Sequence, residues 1–549
     1  MLLTVVFFAT NAMATNETPE AAPNAPVLKM FTPKVTIESG IIEGQSLEQN
    51  IFSFKGIPYA APPVGKLRWQ PPQPVEPWKN PKSTIAYGAT CPQPDMSELI
   101  FKSYRAMAED CLYLNVWTPA IDSSAAKLPV MVWIHGGGFI VGTASDDYYT
   151  GQDLAKSGVV VVTLNYRLGP FGFFAHPLLS QESEHKVSGN YGLLDQIAAL
   201  QWVQKNIKSF GGDAENITLF GESAGGRSIA SLMVSPLSKG LFHKAILQSS
   251  TVFRPMYHLT ESWYGRPSME NVGLQLAAAL DADKEKDVLA ALRQLSVDEI
   301  MKEAKPTLPG MLEGKNKKQD GIAFEPAVDG WVLPGSPSDL FDAGKQHPIP
   351  IIAGSNADEG SLFARKISFL TARRARKIIE EVFAEDAPQI LKLYPFDDRD
   401  AARTALNRIA GDMNSAAPMD KTVSDMTRIN SPAWLYYYTH VREDELGQKL
   451  GAWHGSEIRM VFNSLDRGKA KITDADRKVA ATISQYWLNF AKTGNPNGSG
   501  LPDWPQYKIN EAKYLEIAAE PRVGNHLRQD KVDFFAALEL KRRQARSKN

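Results

Sequence analysis

Short apolar runs, most of them β-branched, punctuate the middle of this chain: Leu128 to Ile134, Val159 to Leu164, Ile217 to Phe220, Ala245 to Leu247 and Ile349 to Ala353. Amphipathic stretches separate them. One runs from Leu193 to Ile207, where Leu194, Ile197, Leu200 and Val203 recur at helical spacing. Continuous apolar runs alternating with helices predict parallel strands buried on both faces. Pro432 to Tyr438 predicts a late strand of the same sheet. The N-terminal part differs. Val35 to Glu38 and Gly40 to Glu43 flank a Ser-Gly turn, and Phe52 to Lys55 alternates with period two, so antiparallel strands are expected there. Pro58 to Pro81 is too proline-rich for regular structure. Residues 255–318 and 366–427 predict helical insertions between strands. No repeat or linker divides the body, so one α/β domain is expected over residues 35–540, with a mostly parallel central sheet.

The two ends read differently. Leu2 to Ala9 is mostly apolar and Ala12-Met13-Ala14 has the small-x-small form of a cleavage site, so residues 1–14 read as an export signal, although no Lys or Arg precedes the run. Residues 15–34 read as a flexible mature N-terminus. At the other end Val532, Phe535 and Leu538 predict a terminal helix, and Lys541, Arg542, Arg543, Arg546 and Lys548 make residues 541–549 a basic, solvated tail. No later segment approaches the ~18 uninterrupted apolar residues of a membrane span.

Composition narrows the classes further. The formal net charge is −1 over 549 residues, and no basic stripe interleaves with aromatics, which argues against a nucleic-acid partner. There are two cysteines, Cys91 and Cys111. A pair at that spacing can close a loop in an oxidising compartment, which fits a secreted or periplasmic location. No metal-ligand cluster or phosphate loop occurs, so no cofactor is expected.

The chemistry begins where Ile217 to Phe220 runs into Gly221-Glu222-Ser223-Ala224-Gly225-Gly226. A strand, a G-x-S-x-G turn and a helix make a nucleophile elbow, whose serine is exposed at a strand's carboxyl end and whose neighbours must be small. Ser223 is the expected nucleophile. Leu128 to Ile134 ends in His135-Gly136-Gly137-Gly138-Phe139, a glycine loop whose amides can approach a substrate oxygen. The expected oxyanion donors are the N–H groups of Gly137, Gly138 and Ala224.

The order Ser, acid, His that accompanies this elbow excludes the histidines before Ser223, and His243, His258 and His347 are also out of order. His440, His454 and His526 remain. His454 is favoured because Gly451 to Glu457 is a loop just past the late strand. For the acid, Ile349 to Ala353 leads into Gly354-Ser355-Asn356-Ala357-Asp358-Glu359-Gly360. Asp358 and Glu359 both follow a strand's carboxyl end, and elementary physics does not choose between them.

Longer motifs then identify a family. Gly56-Ile57-Pro58-Tyr59-Ala60, Pro62 to Arg68, Glu109-Asp110-Cys111-Leu112-Tyr113-Leu114-Asn115-Val116, Asn165-Tyr166-Arg167 and Gly189 to Gln196 join the elbow. Over almost the whole mature chain the sequence resembles the type-B carboxylesterases, among them cholinesterases and bacterial p-nitrobenzyl esterases. The resemblance implies an α/β-hydrolase fold. It also implies a triad of Ser223, Glu359 and His454, a Cys91–Cys111 disulfide, a Ser249 that hydrogen-bonds in the triad network and ion pairs Arg68–Glu109 and Arg167–Asp195.

Departures from the family pattern bear on substrate. Cholinesterases carry a choline-binding tryptophan between these cysteines, but Pro92 to Asp110 contains none and its aromatics are Phe101 and Tyr104. Cation–π recognition of a quaternary ammonium is therefore not expected. The loop is also short, which favours small or medium esters over triglycerides. Arg227 stands where the family usually has a small or apolar residue. It could hold a substrate carboxylate, but pairing with a local acid such as Glu222 is the simpler expectation. Ser250 and Val252-Phe253-Arg254 are also unusual, and Phe139 and Phe253 join Arg227 as candidate pocket residues.

The expected function is serine-dependent hydrolysis of small-molecule carboxylic esters by a monomer or weak homodimer. Activity should rise with pH near 6–7 for an unperturbed histidine. Amide, carbamate or lactone hydrolysis by the same triad is the alternative. A non-catalytic interaction protein on this fold is disfavoured because all three triad residues are present.

Overall fold

The apolar runs assemble into one large sheet. The computed structural model describes residues 31–96, 106–121, 125–250, 252–253, 256–263, 265–306, 324–362, 370–467 and 471–546. The proposed export signal, most of the arm after it, Phe101, Tyr104, Arg254 and Lys548 lie outside the described residues. Residues 32–549 form one unit.

Eleven strands form the main sheet: β1 (Gln45–Ser46), β2 (Phe52–Pro58), β3 (Tyr113–Thr118), β4 (Leu128–Ile134), β5 (Val160–Leu164), β6 (Gly212–Glu222), β7 (Lys244–Gln248), β8 (Ile351–Asn356), β9 (Ala433–Tyr438), β10 (Lys513–Ile517) and β11 (Arg522–Asn525). Their spatial order is β11-β10-β9-β8-β7-β6-β4-β5-β3-β2-β1. The strands from β5 to β10 are mutually parallel, and the pairings outside them are antiparallel. Lys34–Ile37 and Gly40–Glu43 make the antiparallel pair expected around the Ser-Gly turn, in a separate small sheet.

Alternation along each strand feeds two cores. Val130, Val132 and Ile134 of β4 join Leu219 and Leu247 on one face, while Met131 and Trp133 join Phe220 and Ile246 on the other. The first face is covered by α1 (Tyr191–Asn206) and α2 (Ala224–Leu232), the second by the long helix Asp474–Thr493. Helix α1 starts two residues before its expected position and continues as a tighter turn, Ile207–Phe210.

The two insertions are helical as expected. The first carries Met269–Ala279, Val288–Gln294 and Val297–Ala304, plus a short parallel pairing of Tyr257–His258 with Ala327–Val328 that the sequence pattern does not announce. The second includes α3 (Arg399–Gly411) and α4 (Ala417–Arg428), joined through a wide π-type turn at Asp412–Ala416.

The C-terminal helix α5 (Gln529–Arg546) buries Val532, Phe535 and Leu538 against the second insertion. Its basic end departs from the expected solvated tail. Arg543 pairs with Asp339 and Asp342, and Lys541 pairs with Glu385 and Asp386. Just before the helix, Arg528 Nη2 donates to Asp412 Oδ2 at 2.6 Å. Acids from two distant segments face these cations, so the helix is tied down by charge as well as by apolar contact. No described helix is long and apolar enough to cross a membrane.

Covalent and ionic ties hold the loops below the sheet. Cys91 and Cys111 form a disulfide. Arg68 holds both oxygens of Glu109 through Nε and Nη2 at 2.7 and 2.6 Å. Arg167 holds both oxygens of Asp195 through the same two nitrogens at 2.8 and 2.7 Å, and its backbone N–H adds a third bond. This second pair is fully buried, so losing one partner leaves an uncompensated charge in the core. Asp195→Asn is expected to destabilise the fold by about 3–5 kcal/mol, read as a fall in the urea midpoint.

Candidate active site

Strand β6 ends at Glu222 and helix α2 begins at Ala224, leaving Ser223 between them at φ 57°, ψ −118°. A side chain at positive φ costs roughly 1–3 kcal/mol and persists only where its surroundings enforce it. Here they do. The Ser223 N–H donates to the Gln248 carbonyl at 2.9 Å, and its own carbonyl accepts from the Arg227 N–H at 3.0 Å. Gly225 brings α2 hard against the end of β4, where a Cβ would strike the Ile134 carbonyl oxygen. Ser223 keeps partial exposure while Glu222 and Ala224 are buried.

The glycine loop leaves β4 and touches this elbow: a Cβ on Gly136 would come within 3.1 Å of Ser223 Cβ. Gly137 sits at φ 99°, a conformation L side chains rarely adopt, and its carbonyl accepts from the Ile140 and Val141 amides. The N–H groups of Gly137, Gly138 and Ala224 meet no acceptor among the described residues. His135 stacks on Tyr166 at 4.5 Å, and burial lowers its pKa to about 4, so it stays neutral.

Glu359 follows β8 and His454 lies in the loop after β9. Both are buried, and His454 Nδ1 is 2.5 Å from Glu359 Oε2. The other Glu359 oxygen accepts from the Asn356 N–H at 2.7 Å. The opposite ring nitrogen, His454 Nε2, is 3.1 Å from Glu222 Oε1, beside the elbow. Asp358, the rival acid, turns away and accepts from the Ala452 N–H at 3.1 Å. His440 pairs with Asp476 and His526 with Gln529, so neither rival histidine joins the cluster.

Sequence reasoning passed over a third carboxyl group in this cluster. Glu457 is fully buried and accepts from Gln248 Nε2 at 2.9 Å and from Asn356 Nδ2 at 2.5 Å. Trp487 Nε1 in turn donates to Gln248 Oε1 at 3.1 Å. The one available signal was its position, three residues after His454. Burial raises the Glu457 carboxyl, and it raises that of Glu222 beside His454, Glu457 and Glu359. Burial alone would lower the His454 pKa, but the facing Glu222 and Glu359 carboxylates outweigh it and raise it.

The remaining expected residues divide. Ser249 is buried at φ 50° against Tyr436, and its hydroxyl makes no hydrogen bond to Glu359 or His454 among the described residues. Phe139 is buried next to the glycine loop at φ 64° and packs edge-on against Phe173. Phe253 is buried against Phe341 and beneath Lys421. Arg227 corrects an expectation: it pairs with Glu325, beyond the first insertion, not with Glu222. Glu222 sits by His454, and the long guanidinium reaches across to an acid remote in sequence.

The chain is similar to known proteins over most of its length. The carboxylesterase family model matches residues 32–535. Fumonisin B1 esterase of Sphingopyxis macrogoltabida is 37% identical over 481 residues, covering 86% of this chain and 84% of that protein. Para-nitrobenzyl esterase of Bacillus subtilis is 36% identical over 506 residues, covering 90% of this chain and 97% of its own. A solved PNB esterase structure superposes with a TM-score of 0.78 at 34% identity, covering 92% of this chain and 99% of that one.

The carboxylates around His454 give a test that needs no substrate. Removing the Glu222 charge takes away an interaction that favours the imidazolium, so Glu222→Gln is expected to lower the His454 titration midpoint. The downfield Nδ1 proton resonance, followed against pH in both proteins, reads that shift.

Proposed function

The chain belongs to the carboxylesterase family and is a carboxylic-ester hydrolase, and from that premise we propose that Ser223, His454 and Glu359 perform the reaction as nucleophile, base and orienting acid. The observation that carries this assignment is the imidazole held between Glu359 at Nδ1 and the elbow at Nε2.

In the proposed mechanism His454 takes the Ser223 proton as the serine oxygen attacks the ester carbonyl. The Gly137, Gly138 and Ala224 amides receive the developing oxyanion, each worth on the order of 10²–10³ in rate. The imidazolium protonates the departing alcohol, leaving an acyl-serine. Water, deprotonated by the same imidazole, then releases the acid and restores Ser223. Glu359 fixes the tautomer and stabilises the imidazolium. Supporting the oxyanion assignment, the three amides are without protein acceptors among the described residues, and their loop abuts the elbow.

A base must be neutral to act. Carboxylates that raise the His454 pKa therefore push the acid limb of kcat/KM above the ordinary imidazole value of ~6.5. That departs from the limb near 6–7 expected for an unperturbed histidine. The substrates proposed are small to medium esters, and the Cys91–Cys111 bridge supports an exported protein in an oxidising compartment.

The test is a panel of short-chain, long-chain and p-nitrobenzyl esters with fumonisin B1, run on wild type and Ser223→Ala. Ser223→Ala is expected to lower kcat by at least about 10⁴-fold on every ester the wild type cleaves. A rate that survives the substitution sinks the nucleophile assignment. An amide, carbamate or lactone cleaved in preference to all esters would move the substrate class instead.

A further inference from the structure

Arg227 stands one helical turn beyond Ser223 on α2, with its side chain 3% exposed. Its guanidinium carbon lies 5.8 Å from the ring centroid of Phe139, the residue that follows Gly138 in the oxyanion loop. The cation thus sits between the helix that carries the nucleophile and the loop that carries two of the oxyanion amides. Nη1 is bound to Glu325 Oε2, and the other Glu325 oxygen accepts from Arg266 Nη1 at 3.3 Å. Nε and Nη2 of Arg227 are buried and have no hydrogen-bond partner among the described residues.

Those two nitrogens form the edge of the guanidinium that Arg68 and Arg167 use to grip both oxygens of a carboxylate. In Arg227 the same fork meets no acceptor among the described residues. Buried charged donors without an acceptor are rare, because losing water without gaining a partner is destabilising. Among the described residues the charges at this spot are two guanidinium groups against one carboxylate. A planar anion with two oxygens would satisfy the fork and add the missing negative charge.

We infer that Arg227 is a specificity residue for esters bearing a second, ionised carboxylate, which the Nε/Nη2 fork holds while Ser223 attacks the ester carbonyl. The inference rests on the proposed role of Ser223 and deepens it by naming the substrate class. Glu325 and Arg266 hold the guanidinium in place from its other edge.

Three esters decide it: the mono-p-nitrophenyl ester of glutaric acid, its neutral counterpart p-nitrophenyl 5-methylhexanoate, and 4-carboxyphenyl butyrate, whose carboxylate is on the alcohol side. Wild type is expected to cleave one of the anionic esters with kcat/KM about 10- to 100-fold above the neutral one, mostly through KM. The anionic ester that wins tells which half of the substrate faces Arg227. Arg227→Gln should bring the anionic-to-neutral kcat/KM ratio down to about one, and Arg227→Lys should restore only part of the preference.

Equal loss on all three esters in a folded Arg227→Gln protein would make Arg227 a structural residue and overturn the inference, as would a wild type indifferent to charge. Should Arg227→Gln not fold, wild type alone answers through competition with the neutral ester: glutarate or 4-hydroxybenzoate must inhibit at least about tenfold better than the uncharged glutaramide or 4-hydroxybenzamide. Calorimetric titration of wild type with the two acids is independent of turnover. If no ester is cleaved, the hydrolytic assignment falls while binding of either acid still supports this inference and the absence of both overturns it.

Discussion

The contact between α2 and the end of β4 governs the geometry of the whole site. Because Gly225 has no side chain, the helix packs directly on the Ile134 carbonyl. That approach forces Ser223 into its left-handed conformation and sets the Ala224 amide opposite the loop that leaves β4. Ser223 and the amides proposed to receive the oxyanion are thus placed by the same backbone contact, in the middle of a parallel sheet. The carboxyl ends of β6, β7 and β8 and the loop after β9 then bring the other groups to this one edge.

A second constraint is electrostatic. Three carboxyl groups, Glu222, Glu359 and Glu457, crowd around one imidazole in a buried volume. Unpaired, such charges would be prohibitive. The protein manages them with short, directed hydrogen bonds: a backbone amide for Glu359, and amide side chains from Gln248 and Asn356 for Glu457, with Gln248 itself anchored by Trp487. The strands that supply these partners are those that support the loops of Glu359 and Ser223, so polar satisfaction and catalytic placement are joined.

Much of this was legible in the sequence because it was written locally. The elbow and the glycine loop are short motifs whose backbone demands are visible in their glycines, and the central strands appear as apolar runs. What escaped was non-local. Whether Asp358 or Glu359 meets His454 depends on which way each side chain leaves a turn, and only the resemblance to a family chose Glu359. Arg227 was assigned a neighbour in sequence, yet its partner Glu325 lies almost a hundred residues away. Strands β10 and β11 went unannounced because Lys513–Ile517 and Arg522–Asn525 are half polar, the second being the sheet's edge strand and the first its neighbour, where apolar runs are not required.

The tie between Arg528 and Asp412 has a consequence in time. Asp412 directly follows Gly411, which packs on the side chain of Glu359. The shell behind that glutamate is therefore closed by a segment synthesised after Ser223, Glu359 and His454. A growing polypeptide that has emerged past residue 500 already contains Ser223, Glu359 and His454, but the pairing that secures the back of the cluster is still to be made. Synthesis order thus sets the closing of this shell after the synthesis of the three residues it supports.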